Sequence, residues 1–312
     1  MQIFQGLSQL PAPLSSSVVT IGNFDGVHRG HQELIARLLH ASRRWSAEPV
    51  AVTFNPHPAR VLTPQKPVLR LFDFEDQRER LSLLGVKVLI EEPFTPALAR
   101  VTAAEFFEKW IRQPLHPKAL IVGHDFAFGA DRGGRQDFLR DACLHHGIEL
   151  EIVPAVVIEG APVSSSRIRE ALTQGEVDVA AHLLGRPYYL KGEVIAGEKR
   201  GRQIGVPTAN MRPLMEFTPR QGVYITRTLV GSQHFVSVTN LGINPTFHSE
   251  PGAPIKVETH LLDFAGDLYG RELRVELLKF LRPERKFSGI DELKTQIDAD
   301  MAETRRFFDE SP

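Results

Sequence analysis

The chain has 312 residues, long enough for two domains of ordinary size, and its 42% hydrophobic and 24% charged residues exclude global disorder. Lys and Arg number 37 against 38 Asp and Glu, and the formal net charge of -1 is far from the basic footprint of a duplex-nucleic-acid binder. A single cysteine, Cys143, rules out an intrachain disulfide and fits a reducing compartment. The N-terminal stretch MQIFQGLSQLPAPLSSS has neither a basic start nor an apolar core, and no apolar run approaches the roughly 20 residues that span a bilayer. The expectation is a soluble cytoplasmic protein with no membrane and no nucleic-acid partner.

In chain order, the first half alternates short apolar runs with helical patterns. Strands are predicted at Val18 to Ile21, Val50 to Phe54, Val86 to Ile90, Ala119 to Val122 and Glu149 to Val153. Helices are predicted over His31 to Trp45, Glu75 to Leu84, Thr102 to Arg112 and Gln136 to His146. Thr102 and Glu105 have capping-box spacing, and Gly85 and Gly147 stand where C-terminal caps belong. This alternation predicts a doubly wound parallel sheet of α/β class, with ligands beyond the carboxyl ends of its strands. Two further short helices are predicted between Ser164 and Leu184.

After Gly185-Arg186-Pro187 the texture changes. Tyr188 to Ile195, Val223 to Val230, His234 to Thr239, Lys256 to Leu262 and Leu273 to Phe280 read as strands without crossover helices. Val230-Gly231-Ser232-Gln233 reads as a hairpin turn. A small antiparallel β-barrel is expected, followed by a terminal helix capped at Ser288 with Asp291 three residues on. Its apolar stripe is Ile290, Leu293, Ile297, Met301 and Phe308. The boundary is placed near residue 185, giving domains 1–185 and 186–312.

Chemistry concentrates first in Gly22-Asn23-Phe24-Asp25-Gly26-Val27-His28-Arg29-Gly30-His31, between the first strand and the first helix. Glycines at 22, 26 and 30 permit a tight backbone whose N–H groups face a ligand, and the helix start favours phosphate. His28 and His31, three apart, project to one side and can donate to phosphate oxygens that gain charge during transfer. A His-x-x-His pair is weak by itself; the order strand, glycine loop, histidines, helix gives it weight.

This segment resembles the HxGH motif of the Rossmann-like nucleotidyltransferases and, more narrowly, the bifunctional riboflavin kinase/FAD synthetases. Phe54-Asn55-Pro56-His57-Pro58, Gly123 to Gly129 and Ser164-Ser165-Ser166-Arg167-Ile168-Arg169 resemble that family too. The resemblance implies that Gly22, Asn23, Gly26, His28, Gly30 and His31 handle ATP and its phosphates. Ser165 and Arg167 are then the triphosphate clamp, and His57 and Asp125 line the flavin pocket. Ser166 stands where the family more often has threonine, and Ala127 where it often has arginine.

The second cluster is Gly197 to Asn210. Its glycine-punctuated basic loop, with Lys199, Arg200, Gly201 and Arg202, suits a flap over nucleotide phosphates. Thr208 and Asn210, two apart in an extended segment, turn neutral oxygens the same way and can reach one Mg2+ shared with phosphates. Glu258 alternates with Val257 and Leu261, so it faces away from their side and can serve as a general base. This half resembles the riboflavin kinase domain throughout, a six-stranded barrel in that family, as the Gly222-Val223-Tyr224, Asn240 to Phe247, Asp267-Leu268-Tyr269-Gly270 and Leu281 to Phe287 phrases illustrate. The resemblance implies Thr208 and Asn210 on magnesium, Glu258 as base and the Lys199 to Arg202 flap on the nucleotide.

The expected function is therefore phosphorylation of riboflavin to FMN and adenylylation of FMN to FAD. Riboflavin, FMN and ATP are the small-molecule partners and Mg2+ the cofactor. Two alternatives stay open at this level: a nucleotidyltransferase for another phosphate ester, or a catalytically silent flavin- or ATP-sensing protein.

Overall fold

A computed structural model of the chain describes residues 1–66, 68–197, 205–243 and 255–310. Two compact units emerge, Met1–Ser165 and Ser166–Pro312.

The first unit is built on a six-stranded sheet: β1 (Gln2–Phe4), β2 (Ser17–Ile21), β3 (Glu48–Asn55), β4 (Val88–Pro93), β5 (Pro117–Gly123) and β6 (Glu149–Val153). Every pairing is parallel, in the order β1-β4-β3-β2-β5-β6. Alternation along each strand feeds two cores. Val18, Ala51, Leu89, Ala119 and Ile121 face one way and meet Leu34, Ile35 and Leu38 of α1 (Arg29–Trp45). Val19, Ile21, Val50, Val52, Ile90, Leu120 and Val122 face the other and meet Phe106, Phe107, Ile111, Leu139 and Cys143. Both faces of the sheet are covered, as an all-parallel sheet requires. Cys143 is buried there, and burial pushes its thiol up to about 11, so it packs as a small apolar group.

Several elements of this unit were not expected, among them the two-stranded antiparallel hairpin of β7 (Val157–Ile158) and β8 (Ala161–Pro162). β1 pairs with β4 through only three residues, Gln2↔Val88 to Phe4↔Ile90. A short helix, α2 (Pro58–Leu62), follows His57. The segment expected as one regular helix runs as α4 (Ala103–Phe106), a π-helical stretch (Phe107–Arg112) and α5 (Gln113–Leu115). Thr102 caps it through Glu105 N at 3.2 Å, but the Glu105 carboxylate pairs with Lys109 instead of returning to the cap. Between α2 and α4 lies α3 (Phe74–Leu83), and α6 (Gln136–His146) precedes β6.

The strand order fixes where a ligand belongs. From β2 the chain builds outward through β3 to β4, then returns to the opposite side of β2 as β5. The order reverses between β2 and β5, so the crevice beyond their carboxyl ends is the topological switch point. Gly22 follows β2, Asn55-Pro56-His57 closes β3 and His124-Asp125 follows β5. Three segments distant in sequence thus share one edge.

In the second unit α7 (Ser165–Gln174) and α8 (Val177–Leu184) precede the barrel. The units part well upstream of residue 185, for a physical reason. Val177, Ala180, Leu183 and Leu184 of α8 are buried, and this helix packs on the barrel strands β9 and β14. Arg220 donates to the Gln174 carbonyl at 3.1 Å, and its backbone N–H bonds to Leu172 O at 2.9 Å, which ties α7 to the strand connections.

The barrel comprises β9 (Tyr188–Ile195), β10 (Ala209–Pro213), β11 (Gly222–Val230), β12 (Gln233–Ile243), β13 (Ile255–Leu261) and β14 (Glu272–Arg282). It closes in the order β10-β13-β12-β11-β14-β9, with every pair antiparallel. The Gly231-Ser232 hairpin joins Val230 to Gln233 with Gly231 at φ +63°, as its turn residues dictate. Inside, fully buried Thr226, Thr228, Ser237, Thr239 and Thr259 bond hydroxyl to hydroxyl. The chain runs Thr228–Ser237 (2.7 Å), Ser237–Thr226 (2.8 Å), Thr226–Thr239 (2.8 Å) and Thr239–Thr259 (3.0 Å), so each buried polar group has a partner.

The terminal helix α9 (Ile290–Glu310) packs on β12. Ser288, expected as its N-cap, instead donates its N–H (2.9 Å) and its Oγ (2.8 Å) to the Glu292 carboxylate, and Gly289 is the residue next to the helix. Ile290 is 67% exposed and leaves the expected stripe, while buried Asp300 anchors the helix further along. Both Asp300 oxygens accept from Arg282 of β14, at 2.8 to 3.2 Å.

Candidate active sites

The loop after β2 takes an uncommon backbone path. Phe24, Gly26 and Val27 all lie at positive φ (47°, 81° and 40°), a costly state for a β-branched valine. Packing over-determines it: Phe24 and Val27 are buried in the core beneath α1. Hydrogen bonds fix the rest. Leu71 N donates to Asp25 Oδ1 at 3.0 Å, and Ser165 Oγ donates to Asp25 O at 2.9 Å. Gln77 Nε2 of α3 donates to Asn23 O at 3.1 Å, and Thr53 Oγ1 to the same oxygen at 3.3 Å. Buried Gln77 and Arg70 therefore act as positioning residues of this loop, with Gln77 Oε1 accepting from Arg70 Nη2. Nothing in the sequence marked them, because they meet Asn23 only through the tertiary fold.

His28 and His31 come together as expected. Their rings stack with centroids 3.7 Å apart and planes 17° apart. His28 is the N-cap of α1, its Nδ1 accepting from His31 N at 3.4 Å. That acceptor role places the proton of neutral His28 on Nε2. Gly30 makes room for the stack, since a Cβ there would meet the His28 ring at 3.2 Å. Burial, and then the neighbouring His28, hold the His31 pKa well below 6.5, so His31 is neutral at pH 7. The folded state thus resists a proton that the unfolded chain accepts below 6.5, and stability is lost as pH falls through that range. The melting temperature should drop on acidification from pH 7 to 5, and His31→Asn should flatten the drop; an unchanged slope would refute the assignment.

His57 serves a structural role in the resting protein. It caps α2, with Nδ1 accepting from Ala59 N at 3.2 Å, just after the cis Asn55-Pro56 bond. Asp125 projects beyond β5 with its side chain 83% exposed. Its loop is pinned by Gln136 Nε2 on His124 O at 2.6 Å and Arg132 Nη2 on Asp125 O at 3.4 Å. Ser165 opens α7; Arg167 lies in its first turn, in the unit that begins at Ser166.

An aromatic wall stands at the same edge of the sheet, unforeseen in the sequence. Phe54, Phe94, Phe106, Trp110, Phe126 and Phe128 are linked ring to ring, with centroids 5.2 to 6.3 Å apart. Phe54, Phe94, Trp110 and Phe126 are only partly buried. These residues come from β3 and the segments after β4 and β5, so only the fold reveals them as one surface.

In the barrel the register does the assembling. Asn210 pairs with Glu258, and Glu258 with Asn240, so the three form one row across β10, β13 and β12. The buried neighbours Ala209, Val257, Thr259 and Leu241 point inward, which turns this row onto the outer wall. Thr208 immediately precedes β10. Lys256 Nζ sits 3.0 Å from Glu258 Oε1, and Asn240 Nδ2 donates to Glu284 Oε1 at 2.8 Å. Gly197 packs against the Asn210 amide so closely that a Cβ would fall 2.2 Å from Nδ2. Lys199, Arg200, Gly201 and Arg202 of the expected flap lie outside the described residues, as do Asn244 to Phe247.

The donor set fits magnesium. Among the described residues no three His, Cys, Asp or Glu side chains gather as a metal cage. A hydroxyl and an amide oxygen beside a carboxylate suit a hard cation that takes most of its other ligands from water and phosphate.

Comparison with known proteins identifies the family of each half of the chain. The FAD synthetase family matches residues 10–167 and the riboflavin kinase family residues 184–308. A bifunctional riboflavin kinase/FMN adenylyltransferase from Pseudomonas fluorescens is 39% identical, covering 98% of this chain and 97% of its own length. Its namesake from Escherichia coli K12 is 36% identical, covering 99% and 98%. A crystal structure described as a macrolide-efflux protein from Streptococcus pneumoniae superposes with a TM-score of 0.87 at 33% identity, over 97% of this chain and 98% of that one. That description belongs to the Streptococcus protein; here no helix among the described residues is long and apolar enough to cross a membrane. With both domain families matched in order and near-complete alignment to its relatives, the chain belongs to the bifunctional riboflavin kinase/FMN adenylyltransferases.

Proposed function

We propose that the two transfers run at separate ATP sites, one in the half that matches the FAD synthetase family and one in the half that matches the riboflavin kinase family. The observation that carries this is the placement of the two residue sets. His28, His31 and their loop occupy the switch point of the parallel sheet, whereas Asn210 and Glu258 share a row on the barrel wall.

At the barrel, Glu258 accepts the proton of the ribityl 5'-hydroxyl of riboflavin as that oxygen attacks the γ-phosphorus of ATP; FMN and ADP leave. Thr208 and Asn210 hold Mg2+, which when bound neutralises the phosphate oxygens. Lys256 parts from Glu258 to free the base.

At the sheet, a phosphate oxygen of FMN attacks the α-phosphorus of a second ATP, and pyrophosphate leaves as FAD forms. The nucleophile is already an anion, so no base is required. His28 and neutral His31 donate N–H groups to the oxygens that gain charge, and the start of α1 adds its positive end. Gly22, Asn23, Gly26 and Gly30 shape the phosphate seat, with Ser165, whose Oγ donates to Asp25 O, beside it. His57, Asp125 and the aromatic wall receive the flavin, whose flat apolar ring suits Phe126 and Phe54. The phosphorylated reactants and products are small, charged and water-soluble, in keeping with a cytoplasmic enzyme.

Calorimetry with a non-hydrolysable ATP analogue and Mg2+ tests the separation. Two equivalents per chain are expected, and a single equivalent would refute it.

A further inference from the structure

We propose that His260 is a positioning residue of the kinase site, holding the backbone that presents Thr208 to the metal. It rests on the reading of Thr208 and Asn210 as magnesium ligands and adds a group to that site.

The strand pattern places it there. β13 alternates, with Val257, Thr259 and Leu261 buried inside the barrel, so Lys256, Glu258 and His260 all face outward. Ala209 pairs with Thr259, and the next step of that ladder sets His260 opposite Thr208. His260 Nδ1 lies 2.7 Å from the Pro207 carbonyl oxygen. A carbonyl can only accept, so Nδ1 is the donor.

The bond has a specific consequence. The Pro207 carbonyl and the Thr208 nitrogen share one rigid peptide plane. Fixing that oxygen therefore fixes the plane that launches Thr208, and with it the direction of the Thr208 side chain. Proline at 207 brings no N–H of its own to compete. A ligand held by one hydroxyl has little other means of orientation, and groups just behind a ligand commonly tune metal affinity strongly.

The test uses the full chain. His260→Ala should raise the Mg2+ concentration for half-maximal FMN formation by roughly 10-fold or more, while His260→Asn should restore it to within about threefold. Asparagine carries an N–H donor the same number of bonds from Cα as Nδ1, so rescue separates backbone anchoring from a role for the ring. FMN-to-FAD conversion should not change in either variant. Binding is read independently by titrating Mn2+ into the protein with riboflavin and ADP and following the free-ion spin-resonance signal, with wild type and Thr208→Val as brackets. Loss in His260→Ala and recovery in His260→Asn support the proposal. It is overturned if His260→Ala binds and turns over like wild type while Thr208→Val does not, or if asparagine fails to rescue. Should Thr208→Val itself leave metal dependence untouched, the ligand assignment fails, and the role of His260 falls with it.

Discussion

Glu258→Gln should lower the rate of FMN formation by roughly 100- to 10,000-fold, the range attributed to a positioned proton acceptor, and leave FMN-to-FAD conversion unchanged. The substitution keeps the size of the side chain while removing its charge and its ability to take a proton. Structural damage should be slight. The Lys256–Glu258 pair is partly exposed, with 34% and 28% of the side chains accessible, and such pairs contribute about 0 to 1 kcal/mol. Chromatographic separation of riboflavin, FMN and FAD after incubation with ATP and Mg2+ checks both arms. Loss of FAD formation from supplied FMN would show that the two transfers do not have independent chemistry.

His28→Ala with His31→Ala should give the mirror image. Each donor lost from a developing negative charge costs roughly 100- to 1,000-fold, so FAD synthesis should fall by at least that factor while riboflavin phosphorylation persists. The same change removes the cap of α1, a penalty of about 1 kcal/mol, which the surrounding core can absorb. Accumulated FMN, detected by the same separation, is the expected signature. Continued FAD synthesis at the normal rate would remove the histidines from the mechanism.

Much of this architecture was legible from residue order alone, for physical reasons that also explain the gaps. Four of the five expected strands of the parallel sheet are largely buried apolar runs, and burial on both faces is what makes them conspicuous, whereas β6 at the edge is half-buried and carries Glu149 and Glu151. β1 escaped because three half-exposed residues carry no period; only β4 makes Gln2–Phe4 a strand. β10 escaped similarly: Ala209–Pro213 is short, polar at alternate positions and ends in proline, yet the barrel closes through it. Asn210 and Glu258 could be singled out as residues of the right chemistry, but their adjacency is a property of register. Gln77, His260 and the rings from Phe54 to Phe128 were silent for the same reason. Each is an ordinary residue whose importance arises from a partner far along the chain.

The line of hydroxyls inside the barrel carries a last consequence. These short, mutually bonded side chains line a closed barrel of only six strands, narrower than the eight-stranded barrels whose interiors side chains just fill, so its inside is the wrong size for flavin or nucleotide. All molecular traffic on this half must pass over its outer wall and rim. Preference for one substrate over another can then shift by altering surface residues and connecting loops, with the interior left as an inert strut.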